Sequence, residues 1–321
     1  MKRGCLIGCL IVFGLFALMI VVVGFVADSM FNLFQPLPPV DLAAAYGTEH
    51  AIVFRMDMNN EQLREMAGKA LDQGPGMLEF FWPHQLYFFM DANAEAKTRS
   101  LGFALSTRRM AKLWGWILPI PDEKDVGSGL VIQEISVDDN GVIQASADGP
   151  TREEDLATLA STWAAPFDVE PLALEGGHFM ELVINNRNGE AFLAVAPWAE
   201  DIDWDEAAKS SFTKEHLDAL HTGIATARVT GDMAGKETLQ FEVLAIAPDD
   251  ERAAKVAEAL SALTALMAED LKEHDSKVTF EALVEQQGSE VHATITMGEY
   301  GDVLVDRSKE RIDEIEVQIG P

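Results

Sequence analysis

The sequence is poor in cysteine, poor in basic charge and empty of catalytic signatures, and each shortage excludes something. Cys5 and Cys9 are the two cysteines among 321 residues, and none follows them. The bulk of the chain therefore holds no disulfide framework and no thiolate metal site. Lys and Arg number 24 against 53 Asp and Glu, a formal net charge of −29. Nucleic-acid binding needs a basic face to release counterions, so that partner is excluded, and broad contact with anionic lipid is disfavoured. Acidity of this kind keeps an exported domain soluble through mutual repulsion.

The seven histidines (His50, His84, His178, His216, His221, His274 and His292) form no H-E-x-x-H, and no phosphate-cradling or dinucleotide-binding glycine pattern occurs. Gly127-Ser128-Gly129 lacks the glycines two positions either side of the serine that a nucleophile elbow requires. His216 and His221 are spaced so as to point away from each other on a helix. Asp201-x-Asp203-x-Asp205 begins like a calcium loop, but Glu206 and Phe212 stand where glycine and glutamate are needed. Glu200 to Glu206, with Trp198 and Trp204, reads as an exposed acidic loop, with weak divalent binding as the sharper alternative. No catalytic, cofactor-binding or metal-ligating residue is assigned.

What the chain does have is an apolar opening. Met1-Lys2-Arg3 leads into Gly4 to Ala27, a run without a charged residue that ends at Asp28. At ~1.5 Å per residue the run is long enough to cross a hydrocarbon core of ~30 Å. Lys2 and Arg3 on one flank place the N-terminus in the cytoplasm and the rest of the chain outside it. A cleaved signal fits less well, because the apolar core is long and Phe25 sits three positions back from a cut after Ala27. Leu6-Ile7-Gly8-Cys9 imitates a lipobox, yet most of the apolar segment follows that cysteine instead of preceding it. Gly4 and Gly8 form a G-x-x-x-G at the extreme end of the span, a weak place for helix pairing. The expectation is an uncleaved anchor, with membrane contact through residues 4–27.

Residues 28–48 read as a spacer, stiffened by Gln35-Pro36-Leu37-Pro38-Pro39-Val40. Beyond it, strand and helix signals alternate. Ala51 to Asp57, Gln85 to Asp91 and Leu101 to Ser106 read as strands, with a helix starting at Asn59 or Asn60 after the first. Asp139-Asn140-Gly141 marks a hairpin between 130–137 and 142–147, and Thr151-x-x-Glu154 a capping box for a helix to Trp163. Asn188-Gly189 predicts a second hairpin, pairing 178–185 with 190–196. A short helix from about Thr213 precedes strands at 223–230 and 236–247.

The longest helix starts at Pro248-Asp249-Asp250-Glu251 and runs to about His274, with Ala253, Val256, Leu260, Thr264, Met267 and Leu271 on one stripe. A third hairpin turns at Gly288, and a helix over 300–309 and a strand over 312–319 close the chain. The expected class is α+β: a transmembrane helix (1–27), the spacer, then modules over 49–170 and 171–321 built from antiparallel hairpins against amphipathic helices. A ferredoxin-like duplication is the form considered, and the second module is the more acidic.

One cluster opposes the general charge. Arg108, Arg109 and Lys112 precede Trp114 and Trp116. Basic residues beside indoles suit a membrane interface or a partner. The plainer reading packs Met110, Leu113 and Trp114 on the sheet and leaves the charges in water. Taken together, the sequence predicts a single-pass bacterial envelope protein with an exported, non-enzymatic interaction or structural domain and an envelope protein as partner. The runner-up is a hydrolase or metal-dependent enzyme assembled from scattered carboxylates and histidines.

Overall fold

The structure is a computed structural model and describes residues 37–70, 82–107, 130–138, 140–163, 167–200, 212–234, 238–274 and 278–299. The apolar run 4–27, Gln35-Pro36, the cluster Arg108, Arg109, Lys112, Trp114 and Trp116, residues Gly127-Ser128-Gly129, residues 201–206 of the expected acidic loop and the two elements expected after residue 299 lie outside the described residues. Among the described residues no helix is long and apolar enough to cross a membrane.

In chain order the elements are α1 (Leu42–Tyr46), β1 (Ile52–Asp57), α2 (Glu61–Ala70), β2 (Gln85–Asn93), β3 (Thr98–Ser106), β4 (Val131–Val137), β5 (Val142–Pro150) and α3 (Glu153–Thr162). Then come β6 (Met180–Asn185), α4 (Glu190–Glu200), α5 (Lys214–Gly223), β7 (Thr226–Met233), β8 (Thr238–Ile246), α6 (Asp250–His274), β9 (Thr279–Gln287) and β10 (Glu290–Gly298). The class is α+β, as expected. All ten strands join one sheet in the order β4-β5-β3-β2-β1-β6-β7-β8-β10-β9, and every neighbouring pair is antiparallel.

Counted outward from the β1–β6 seam, the two halves have one connectivity. The first runs β1, β2, β3, β5, β4 and the second β6, β7, β8, β10, β9. This corrects the ferredoxin-like expectation. A split βαβ unit inserts its third strand between its first and second, whereas here β1 sits directly beside β2, and β6 beside β7.

Register carries one row of side chains across both halves: Leu101, Met90, Ile52, Ile184, Ala227 and Ala245 lie opposite one another in turn. Because side chains alternate across a strand, this row and those two residues away share a face. That face takes the helices: α4 lies over β2, β3 and β6, α6 over β9 and β10, and α3 and α5 pack on α4 and α6. In β10 the alternation is clean, with Val291, Ala293 and Met297 buried while Glu290, His292 and Thr294 are exposed. In α6, Ala253, Val256, Thr264 and Leu271 are buried as the helical stripe requires, and Asp250 and Glu251 favour the positive end of the macrodipole.

The opposite face is covered in the first half by the N-terminal segment. Leu42 is fully buried against Val53, Tyr87, Ala104 and Val142. Its N–H donates to Gln85 Oε1 at 2.8 Å, and the Tyr87 hydroxyl donates to Gly47 O. The Phe89 ring fills the space a Cβ would need at Gly102, its register partner. Within the expected spacer 28–48, Leu42 thus joins the core on this side, with Val40, Ala43 and Tyr46 packed partly buried beside it.

Two further expectations are corrected. Residues 190–196 are the start of helix α4, not a strand. Gly189 has φ +73, and an added Cβ there would lie 2.1 Å from Leu159 Cδ1. The chain turns into a helix whose Phe192 N–H donates to Asn186 Oδ1 at 2.9 Å, and the strand beside β6 is supplied by 226–233 instead. The capping box at Thr151 is also displaced. Arg152 is the N-cap and makes no side-chain cap bond, while its guanidinium grips Asp155 with two 2.8 Å contacts.

Candidate functional site: an apolar cavity between sheet and helices

The row Ile52–Ile184–Ala227–Ala245 changes size halfway along, and the change makes a cavity. Ile52 and Ile184 line it on the side under α4, while the smaller alanines at 227 and 245 leave room over β7 and β8, between the strands covered by α4 and those covered by α6. The cavity is about 390 Å³, within the ~300–1,000 Å³ of small-ligand sites. Val229 and Val243, directly paired, continue its floor. Phe192 and Val195 of α4, Leu220 and Ile224 of α5 with its C-cap, and Leu260 of α6 make its walls.

Two polar side chains reach this wall, and they differ. Asn186 is buried and satisfied: it caps α4 through Phe192 N and donates through Nδ2 to Ile224 O at 3.2 Å. His221 meets Phe192 edge-on at 6.0 Å, and no described residue hydrogen-bonds its ring nitrogens. Burial pushes its pKa down, with Asp218 pulling weakly the other way, so the imidazole is neutral. The site therefore offers apolar contact and one unpaired hydrogen-bonding group.

A second, polar cleft of about 490 Å³ lies near the ends of β1 and β6, lined by His50, Glu49, Asn185, Arg187 and Glu190 among others. His50 on its wall pairs with Asp91, Nδ1 to Oδ2 at 2.6 Å. The other ring nitrogen faces Tyr46 O at 3.1 Å, and the ring stacks on Phe89 at 4.1 Å. The hydrogen bond to Asp91 raises the His50 pKa against the desolvation that opposes it. With both ring nitrogens engaged, His50 clamps α1 to the sheet and leaves no free nitrogen to act as a base.

Four further histidines are engaged locally. His216 Nδ1 accepts from the Thr213 N–H and completes the cap of α5. His84 contacts Asn59 at 3.0 Å and Leu37 O at 3.1 Å. His178 pairs with Asp232 at 2.7 Å on an exposed rim, and His292 lies 3.2 Å from Glu290. Among the described residues no group of His, Cys, Asp and Glu is arranged to hold a metal ion. The expected contact residues Arg108, Arg109, Lys112, Trp114 and Trp116 fall outside the described residues.

The sequence marks none of the cavity residues as a binding site: His221 stands out only by its spacing from His216, and Leu260 only as part of a helical stripe. The available signal was the pair of alanines at interior strand positions, but their opposition depends on register between strands far apart in sequence.

No protein-family model matches the chain, and no curated protein matches it. Among solved structures, TP0453 in crystal form IV aligns at 8% identity and TM-score 0.36, covering 85% of this chain and 97% of that one. Crystal form I of TP0453 aligns at 10% identity and TM-score 0.32, covering 84% and 98%. Scores this low carry no shared fold.

Proposed function

We propose that the chain is a single-pass, membrane-anchored bacterial envelope protein whose exported domain is non-enzymatic and works by binding an apolar ligand. The apolar cavity over β7 and β8 carries the reading. Its walls supply contact surface and a single titratable group, an arrangement suited to holding a molecule and lacking the paired acid and base that hydrolysis uses. The uncharged run 4–27 with Lys2 and Arg3 before it supports the anchor and its orientation, N-terminus in the cytoplasm. The repeated strand order on either side of the β1–β6 seam supports two related α+β modules, 49–170 and 171–321, fused through one sheet. An envelope protein is the partner to which such a domain would present its exposed surfaces.

Two measurements test the reading. A reporter fused after Pro321 is expected to be active only outside the cytoplasm, and cytoplasmic activity overturns the orientation. The full chain in lipid nanodiscs, photolysed with a diazirine-bearing alkane, is expected to carry adducts on peptides from 184–195, 220–229 or 243–245. Adducts confined to the apolar run overturn the cavity reading.

A further inference from the structure

The shape and chemistry of the cavity narrow what it takes, given the binding reading above on which this inference rests. Its floor is a slot of alanine and valine pairs, and among the described residues the one polar lining group that no other residue hydrogen-bonds, His221, sits on the wall at the end of α5. An apolar length with one hydrogen-bonding end is the complement of that arrangement. The head must also be uncharged. Among the described residues no Lys or Arg lines the cavity, and the protein carries a formal net charge of −29, so a carboxylate or phosphate head would enter without a counter-charge. A neutral imidazole, by contrast, both donates and accepts, which suits a hydroxyl. The volume of about 390 Å³ fits a small molecule and is too small for a partner's helix.

We propose that the cavity binds the single alkyl chain of an uncharged, oxygen-headed amphiphile, a long-chain alcohol or monoacylglycerol, with its hydroxyl at the His221 imidazole. The chain lies along Ala227, Ala245, Val229 and Val243, and the head reaches the edge of Phe192. The bilayer beside an anchored domain is the natural reservoir for such molecules.

The test uses the full chain in nanodiscs and photoreactive probes of matched length: an alkane, an alcohol, a carboxylate and a monoacyl phospholipid. Peptide mapping separates cavity adducts from those on the apolar run. The alcohol is expected to label the cavity roughly three- to tenfold more than the alkane, the worth of one hydrogen bond. Unlabelled alcohols are expected to compete about fourfold better per added methylene until the cavity is full, and then no better. His221→Leu is expected to bring the alcohol down to the alkane level while alkane labelling persists, and His221→Gln to restore the preference. Ala245→Phe is expected to abolish labelling by both, and the competition series in the unaltered chain serves if that variant fails to fold. Equal labelling by alkane and alcohol overturns the head-group inference while the binding reading stands. Stronger labelling by the carboxylate or the phospholipid overturns it as well. No cavity adduct from any probe, in a folded chain, overturns both.

Discussion

The two halves of the sheet share a connectivity and differ on the face turned away from the helices. In the first half that face is Val53, Tyr87, Phe89, Ala104 and Val142, closed over by Leu42 and its neighbours. In the outer second half it is Glu242, Thr294, Glu281, Leu283 and Glu285, all exposed. Between them, residues 172–178 cross β6 and β7: Glu175 and Gly176 donate backbone N–H groups to Glu181 Oε1 at 2.9 Å, and Arg228 reaches Glu175 at 2.7 Å. Among the described residues, one strand order thus supports a sheet covered on both faces and a sheet covered on one. Which it becomes depends on whether the chain supplies a lid. The two edges differ likewise: β4 is broken by a bulge between Ile132 and Glu134, while β9 pairs in regular register.

The covered side is where substitution is expected to hurt most. Glu181 is fully buried beside Arg55, Oε2 to Nη2 at 2.5 Å, beneath the 172–178 segment. Glu181→Leu removes one partner of a buried pair and strands two backbone donors, an expected loss of about 3–5 kcal/mol. Leu42→Ala opens a cavity under the lid of the first half and is expected to cost about 2–5 kcal/mol. Both are read from the midpoint of denaturant unfolding at unchanged slope. If either proves as mild as a surface change, the lid is not part of the cooperative fold and the contrast between the halves collapses.

Protonation sharpens the same contrast. His50 holds the lid, and its hydrogen bond to Asp91 raises its pKa in the folded state. A raised value means stability fully present below the ordinary value of 6.5 and lost as the pH climbs through the folded value. For Asp91, burial pushes up, but the bonds from His50 and the Ala51 N–H prevail and the net shift is down. Its contribution is present above the ordinary 3.8 and lost as the pH falls through the lowered value. The pair is therefore strongest between those limits, and the difference between the unaltered chain and His50→Gln is expected to shrink as the pH rises from 6 to 8. His221, on the helix side, has the opposite sign, because burial lowers its pKa. Its cost to stability grows as the pH falls below 6.5 toward the lowered value. The His221→Gln difference curve is expected to slope the other way, and parallel curves for the two variants would refute the assignment.

How much of this was legible in the sequence follows from the range of each interaction. The hairpin at 138–141, the long helix α6 and the hairpin at Gly288 were readable because turn chemistry and helical period are local. Helix α4 was misread because Asn188-Gly189 is also a hairpin signal. What decides against a strand there is Leu159 and Trp163 packed on Gly189, and Asn186 turned to cap the helix. Helix α1 is too short to show a period, and its meaning is Leu42 under a distant sheet. The cavity was illegible for the same reason: Ala227 and Ala245 are ordinary until register sets them side by side.

The smallest expected effect bears on the bare face itself. Leu283 is 59% exposed on β9, opposite Thr294 of β10. A leucine in water contributes little packing, and threonine suits an exposed strand at least as well. Leu283→Thr is therefore expected to change the unfolding free energy by less than ~0.5 kcal/mol. The result matters because the same class of change at Leu42 is expected to cost several times more, although both side chains stand on the same side of the sheet. A loss of 2 kcal/mol or more at Leu283 would mean that something covers the second half as Leu42 covers the first. The two halves would then be alike in their packing as well as in their strand order.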